Sequence, residues 1–259
     1  MDVNMIICDL DRTLLRNDKT ISEYTLNVLE KCRKMGILFG FATARTMPGS
    51  KLYEEITKPD IIITDCGALA VIKGEEVYKA LIPINLANQV INTKLNHKEV
   101  GIITANAING YYVSRVEETS HPNWKLWKAL HYDFSQGIDC DVYKFASQIF
   151  DSSILEEIVQ IAQIRITRNH GEEWVMFTHK DATKYNGIAA IAKHLNMDTE
   201  NIAAFGDDFS DIEMLKNCGI GVAMANAIDE AKEAADYICD SNDNDGVAKW
   251  LEENLCTSK

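Results

Sequence analysis

Five short stretches of this chain, residues 5–8, 37–42, 61–63, 202–205 and 220–223, run apolar without the polar alternation of a half-exposed strand. Strands of that kind are buried on both faces, as in a parallel sheet with helices on either side. Helical patterns separate them. Ser22 is placed to cap a helix whose stripe is Leu26, Leu29, Cys32 and Met35, and Gly36 is placed to end it in a left-handed turn. A second helix surrounds Leu52 and Ile56. The order strand, helix, strand, helix, strand predicts an α/β fold with a Rossmann-like doubly wound parallel-sheet core.

The alternation breaks at residues 68–72 and 77–82, which flank Lys73-Gly74 as a hairpin would. Beyond Pro83 the texture changes. A helix at 85–95 precedes strand-like runs at 100–104, 111–116, 142–145, 164–167 and 174–177, with another helix near 154–162. This predicts an α+β unit on an antiparallel sheet. After Lys180 the first texture returns, with helices at 183–195, 212–217 and 227–235. The expected domains are therefore a core of 1–82 and 181–259 and an inserted α+β domain at 83–180.

The net charge of −13, from 39 acidic against 26 basic residues, repels nucleic-acid backbones, so nucleic acid is not an expected partner. The same field repels a phosphorylated small molecule unless a bound cation or a local basic group receives it. Seven cysteines without a C-x-x-C pair read as thiols of a reducing compartment. No basic leader opens the chain, and no apolar run nears the roughly 20 residues that span a bilayer. A cytoplasmic protein without a membrane partner is expected. Cys256-Thr257-Ser258-Lys259 lacks the aliphatic pair of a prenylation box and reads as a solvated tail. Nothing in the pattern sets an oligomeric state.

In open parallel sheets, ligands bind beyond the carboxyl ends of the strands. There the chain places Asp9-Leu10-Asp11-Arg12-Thr13, Thr43-Ala44-Arg45 and Gly206-Asp207-Asp208-Phe209-Ser210-Asp211, with Lys184 opening the helix before the last of these strands. Several carboxylates on one edge need a counter-cation. An all-oxygen donor set favours a hard ion, and Mg2+ is the expected cofactor. The six histidines form no H-E-x-x-H pair.

Asp208 is read as a turn residue, Asn226 as a helix cap and Gly219-Ile220-Gly221 as structural, since it lacks the third glycine of a dinucleotide site. The segment His121-Pro122-Asn123-Trp124-Lys125-Leu126-Trp127 offers two tryptophans that either pack the insertion's own core or line a sugar-binding face.

These four motifs, in order along nearly the whole chain, resemble those of the haloacid dehalogenase superfamily of phosphotransferases. The α/β insertion, Val222-Ala223-Met224-Ala225-Asn226-Ala227 and Asp245-Gly246-Val247 resemble its Cof-type, subclass IIB branch. The resemblance implies a phosphatase of small phosphorylated metabolites, sugar phosphates foremost, with the insertion as a cap. It implies Asp9 as a nucleophile forming an aspartyl-phosphate and Asp11 as general acid and base. It implies Thr43, the Ala44 backbone and Lys184 as phosphate-binding groups. Asp9, the carbonyl of Asp11 and Asp207 would hold Mg2+, with Asp211 a direct ligand or a partner of the ligands.

Four positions depart from the family pattern. Arg12 and Ala44 stand where Gly is usual, and Cys66 and Ser210 where Asn is usual. The Arg12 side chain can point to solvent, which makes this departure tolerable. Alternative readings are a phosphomutase, or a phosphate-accepting signalling or binding protein without turnover.

Overall fold

The computed structural model describes residues 2–95, 100–115, 125, 127–168 and 174–256. The chain groups into two compact units, one of residues 1–44, 52–78 and 183–259, the other of 45–51 and 79–182.

The first unit is built on an eight-stranded sheet in the order β14-β13-β12-β1-β2-β3-β4-β5. Its centre is β1 (Met5–Cys8), paired in parallel with β2 (Leu38–Ala42) on one side and β12 (Ile202–Gly206) on the other. Strands β3 (Ile61–Thr64), β13 (Ile220–Ala223) and β14 (Tyr237–Ile238) extend the parallel part, and β4 (Leu69–Ile72) joins β3 antiparallel. Every residue of β1, β3 and β12 is buried, so both faces carry a core and the polar groups gather at the strand ends. The hairpin from β4 to β5 (Glu75–Lys79) turns on Lys73 (φ 47°) and Gly74 (φ 85°), the paired left-handed residues of a tight turn.

Helix α1 (Glu23–Lys34) begins at Ser22, whose side chain accepts a hydrogen bond from the Thr25 amide, and Gly36 follows it at φ 84°. Its buried residues are Thr25, Val28, Leu29 and Cys32, and Met35 is 55% exposed. The expected stripe was spaced every three residues throughout. At about 100° per residue such a row drifts by roughly 60° each step, so its last member leaves the core face.

The second unit holds a six-stranded sheet in the order β10-β11-β9-β6-β7-β8, made of β6 (Val100–Ala107), β7 (Gly110–Val113), β8 (Leu130–His131), β9 (Val142–Ile149), β10 (Ile164–Arg168) and β11 (Trp174–His179). Its strands pair antiparallel except β7 with β8. Helices α3 (Ile84–Leu95) and α4 (Ser153–Ile158) place Ala87, Val90, Ile91, Ile154 and Ile158 in one cluster with Phe145 and Phe177, while α2 (Met47–Thr57) runs across the boundary of the two residue groups.

Ile82 belongs to that cluster and exchanges backbone hydrogen bonds with Val142, which explains why residues 79–82 group with the insertion. Strand β8 was missed because Leu130-His131 is too short to show a period. Among the described residues no helix is long and apolar enough to cross a membrane. Of segment 121–127 only Lys125 and Trp127 lie among the described residues; Trp127 packs edge-on to Tyr111 at 5.4 Å, which favours the packing reading. Residues 257–259 and Val116 lie outside them.

Candidate active site

Asp9 follows the central strand directly, and its amide donates to the Phe205 carbonyl at 2.9 Å, so the chain leaves β1 beside β12. Because Cys8 pairs with Phe205 and Phe41, the segments after β1, β2 and β12 emerge at one carboxyl edge. Asp9, Asp207 and Asp211 converge there. All three are buried, and one ligand atom from each lies within 4.8 Å of the others.

Helix α5 (Lys184–His194) brings the counter-charge. Thr183 caps it by accepting from the Asn186 amide, and Lys184 is its first residue. The Lys184 Nζ donates to Asp9 Oδ1 and to Asp211 Oδ1, both at 2.6 Å. Burial works against the ammonium, but Asp211 and Asp9 outweigh it and hold the Lys184 pKa above its ordinary value. Lys180, by contrast, is exposed.

The turn at residues 65–67 positions this helix. Asp65, Cys66 and Gly67 take φ of 54°, 61° and 98°, the Cys66 amide donates to the Thr43 carbonyl at 3.1 Å, and a Cβ on Gly67 would overlap the Thr183 carbonyl. Gly67 is therefore required twice, by its dihedral and by the close approach.

Asp211 spends its second oxygen on the backbone. Its Oδ2 accepts from the amides of Asp207 at 2.9 Å and Asp208 at 3.1 Å, while Asp208 caps the short turn Phe209–Asp211 that contains Ser210. Asp207 in turn accepts from the Thr13 hydroxyl at 2.7 Å. Burial, aided by Asp211 and opposed by Thr13, Lys184 and Arg12, pushes Asp207 up to about 7. Asp9 is also raised, by burial first; Lys184 opposes this, and Asp211, Asp207 and Asp11 add to it. Lys184 thus leaves negative charge uncompensated, and the oxygen-only donor set suits a hard divalent ion.

Asp11 is not one of the three buried carboxylates, although its charge acts on Asp9. It is part-exposed and accepts from Lys19 Nζ at 2.8 Å, a partner the sequence reading did not assign. Thr43 is buried at the end of β2, with its amide on the Ile63 carbonyl, and Ala44 follows it part-buried.

Arg12 is tolerated at its position, with its side chain 42% exposed, but it also has partners at the site. Its guanidinium does not simply point to solvent: Nε lies 3.8 Å from Asp207 Oδ2, and an Nη is 3.4 Å from the Asn226 carbonyl. Two departures from the family pattern have one backbone reason. Arg12 at φ 64° and Cys66 at φ 61° occupy the left-handed region that Gly and Asn adopt most easily, so the usual residues there answer to the dihedral.

Asn226 also differs from its reading. It does not cap a helix but donates to the Arg12 carbonyl at 2.8 Å and accepts from the Asn242 amide at 2.9 Å, tying the loop after β1 to the acidic loop at 240–245. The roles of Thr13, Lys19 and Asn226 were hidden because their partners are between 8 and 214 residues away.

Comparison with known proteins agrees with this geometry. The family model of haloacid dehalogenase-like hydrolases matches residues 6–251. The chain is 29% identical to the Bacillus subtilis 5-amino-6-(5-phospho-D-ribitylamino)uracil phosphatase YcsE, over 97% of this chain and 95% of that protein. It is 28% identical to a second 5-amino-6-(5-phospho-D-ribitylamino)uracil phosphatase of Bacillus subtilis, YitU, over 96% of each chain. Among solved structures it resembles the subclass IIB sugar phosphatase BT4131 with a TM-score of 0.85 and 25% identity, over 97% of this chain and 98% of that one.

Proposed function

The chain belongs to the haloacid dehalogenase-like hydrolases and is a phosphatase; from that premise we propose that it hydrolyses small phosphorylated metabolites, sugar phosphates among them, through an aspartyl-phosphate on Asp9. The observation that carries this reading is the double ion pair of Lys184 with Asp9 and Asp211. It sets an ammonium, a candidate nucleophile and a carboxylate cluster at the one sheet edge where phosphate oxygens would need them.

In the first step an Asp9 carboxylate oxygen bonds to phosphorus, the bond from phosphorus to the leaving oxygen breaks, and Asp11 gives that oxygen its proton. In the second, Asp11 takes a proton from water as the water oxygen bonds to phosphorus and the bond to Asp9 breaks. Asp11 is part-exposed and two residues from Asp9 in the chain, within reach of solvent water as well as of a leaving oxygen. Lys184 and the Thr43 hydroxyl hold phosphoryl oxygens.

Mg2+ fits the donor set, with Asp9, Asp207 and the Asp11 carbonyl as ligands, and when bound it would neutralise charge on the phosphoryl oxygens. Asp211 positions rather than ligates, since its oxygens serve Lys184 and two amides. The inserted unit is the cap that selects the leaving group, as in the family resemblance.

Asp9→Asn should lower turnover of p-nitrophenyl phosphate by roughly 10^4-fold or more with an unchanged circular dichroism spectrum. A variant that still hydrolyses the ester would refute the nucleophile.

A further inference from the structure

Two cysteines of the first unit, Cys32 and Cys256, take no part in the proposed reaction. They stand 224 residues apart in the chain, yet their Sγ atoms lie 3.7 Å from one another, which is van der Waals contact. Cys32 is fully buried on α1, and Cys256 closes the helical turn Glu252–Cys256, where it is part-buried.

Other contacts seat this turn on α1. Glu252 accepts from Lys31 Nζ at 2.5 Å with one oxygen and from the Tyr24 hydroxyl at 2.7 Å with the other. The preceding helix, Gly246–Leu251, also packs on α1 and buries Val247, Ala248, Trp250 and Leu251. Lys31 directly precedes Cys32, and Glu252 opens the turn that Cys256 closes, so the ion pair and the sulfur contact belong to one joint.

A buried cysteine reads by itself as a small apolar residue. Cys256 does not, because solvent reaches it and its sulfur rests on a second sulfur. By contrast, Cys140 sets its sulfur against the Asn109 side chain at 3.0 Å, and Cys239 sets its own against the Met224 thioether at 3.4 Å. Burial first, and Cys256 second, push the Cys32 thiol up to about 12. Cys32 is therefore the inner, protonated sulfur, and Cys256 is the one an oxidant meets.

We propose that Cys32 and Cys256 form a disulfide when the chain meets a small-molecule disulfide, and that this bond fixes the turn 252–256 to α1. The Cys256 thiolate bonds to one sulfur of the oxidant, and the oxidant's own S–S bond breaks. Its other sulfur leaves as a thiolate and takes up the proton that Cys256 released. Cys32 then loses its proton to solvent and bonds to Cys256 Sγ, the mixed disulfide breaks, and the second small thiolate leaves to be protonated in turn. Two protein thiols are oxidised and one small disulfide is reduced to two thiols; an excess of small thiol runs both steps backwards. The inference does not depend on the phosphatase reading.

The test incubates the reduced full chain with glutathione disulfide, beside Cys256→Ser and Cys32→Ala. Free thiols are alkylated in denaturant, and the protein is then cut after glutamate. The expected result is a mass lower by two hydrogens, alkylation of five of the seven thiols, and a linked pair of peptides, 31–54 with 254–259. Closing so long a loop should raise Tm by roughly 5–15 °C, a rise that dithiothreitol reverses and both variants lack.

Seven alkylated thiols after incubation would overturn the proposal. So would a product that stops at one bound glutathione, a bond between other cysteines, or a disulfide-linked dimer. A bond between Cys32 and Cys256 without a rise in Tm would mean that the turn must leave α1 to make it, and would overturn the pinned geometry.

Discussion

The two sheets of this molecule solve burial in opposite ways, and the difference shows where each can hold chemistry. In the first, Met5, Ile6, Ile7 and Cys8 are all fully buried, so neither face has room for a polar side chain and the carboxylates stand at the strand ends. In the second, strand β9 alternates, with Phe145 in the apolar cluster and Lys144 and Gln148 on the other face. A parallel sheet thus concentrates function at an edge, while an antiparallel sheet can spread it over a face.

The largest effect expected of a test is at the edge. Lys184→Met leaves Asp9 and Asp211 buried without their ammonium and should cost about 3–5 kcal/mol in urea unfolding. A loss below about 1 kcal/mol would mean that the cluster is held some other way.

Next comes the contrast between strands. Ile6→Ala and Ile7→Ala, which point to opposite faces, should each cost about 2–5 kcal/mol. Along β9, Phe145→Ala should cost about 3–5 kcal/mol, but Gln148→Ala should stay within about 0.5 kcal/mol. Equal losses at Phe145 and Gln148 would erase the distinction between the sheets.

The smallest effect is electrostatic. Asp207 is raised to about 7 and Asp9 is raised as well, both chiefly by burial. Their folded forms hold protons more tightly than the unfolded chain. This cluster's contribution to stability is therefore greatest at low pH and declines as pH climbs from the unfolded carboxylate range towards 7. A divalent ion that needs both groups ionised reverses that loss. Mg2+ should raise Tm little at pH 5.5 and more at pH 8, by up to about 2.7 kcal/mol of stability at 100 times its dissociation constant. A rise of equal size at both pH values, or one retained by Asp207→Asn, would contradict the ion site.

Much of the fold and the site was legible because it depends on local pattern. Unbroken apolar runs announced β1, β3 and β12, and a D-x-D-x-T segment after one of them announced the edge. The stripe of α1 was misplaced at Met35 because spacing of three and of four residues must mix to stay on one face. The approach of Arg12 to Asp207 was not legible because its left-handed dihedral and the nearness of Asp207 belong to no local pattern.

The amino-acid order alone determined most of the strands and helices, though not the two-residue β8, and which carboxylates follow strands, since periodicity and capping act over a few residues. Only the tertiary structure decided that Asp211 serves Lys184 and two amides, that Thr13 holds Asp207, and that Cys256 meets Cys32. Those relations arise when segments far apart in the chain are brought together by burial, and the direction of a buried side chain is set by neighbours that sequence distance conceals.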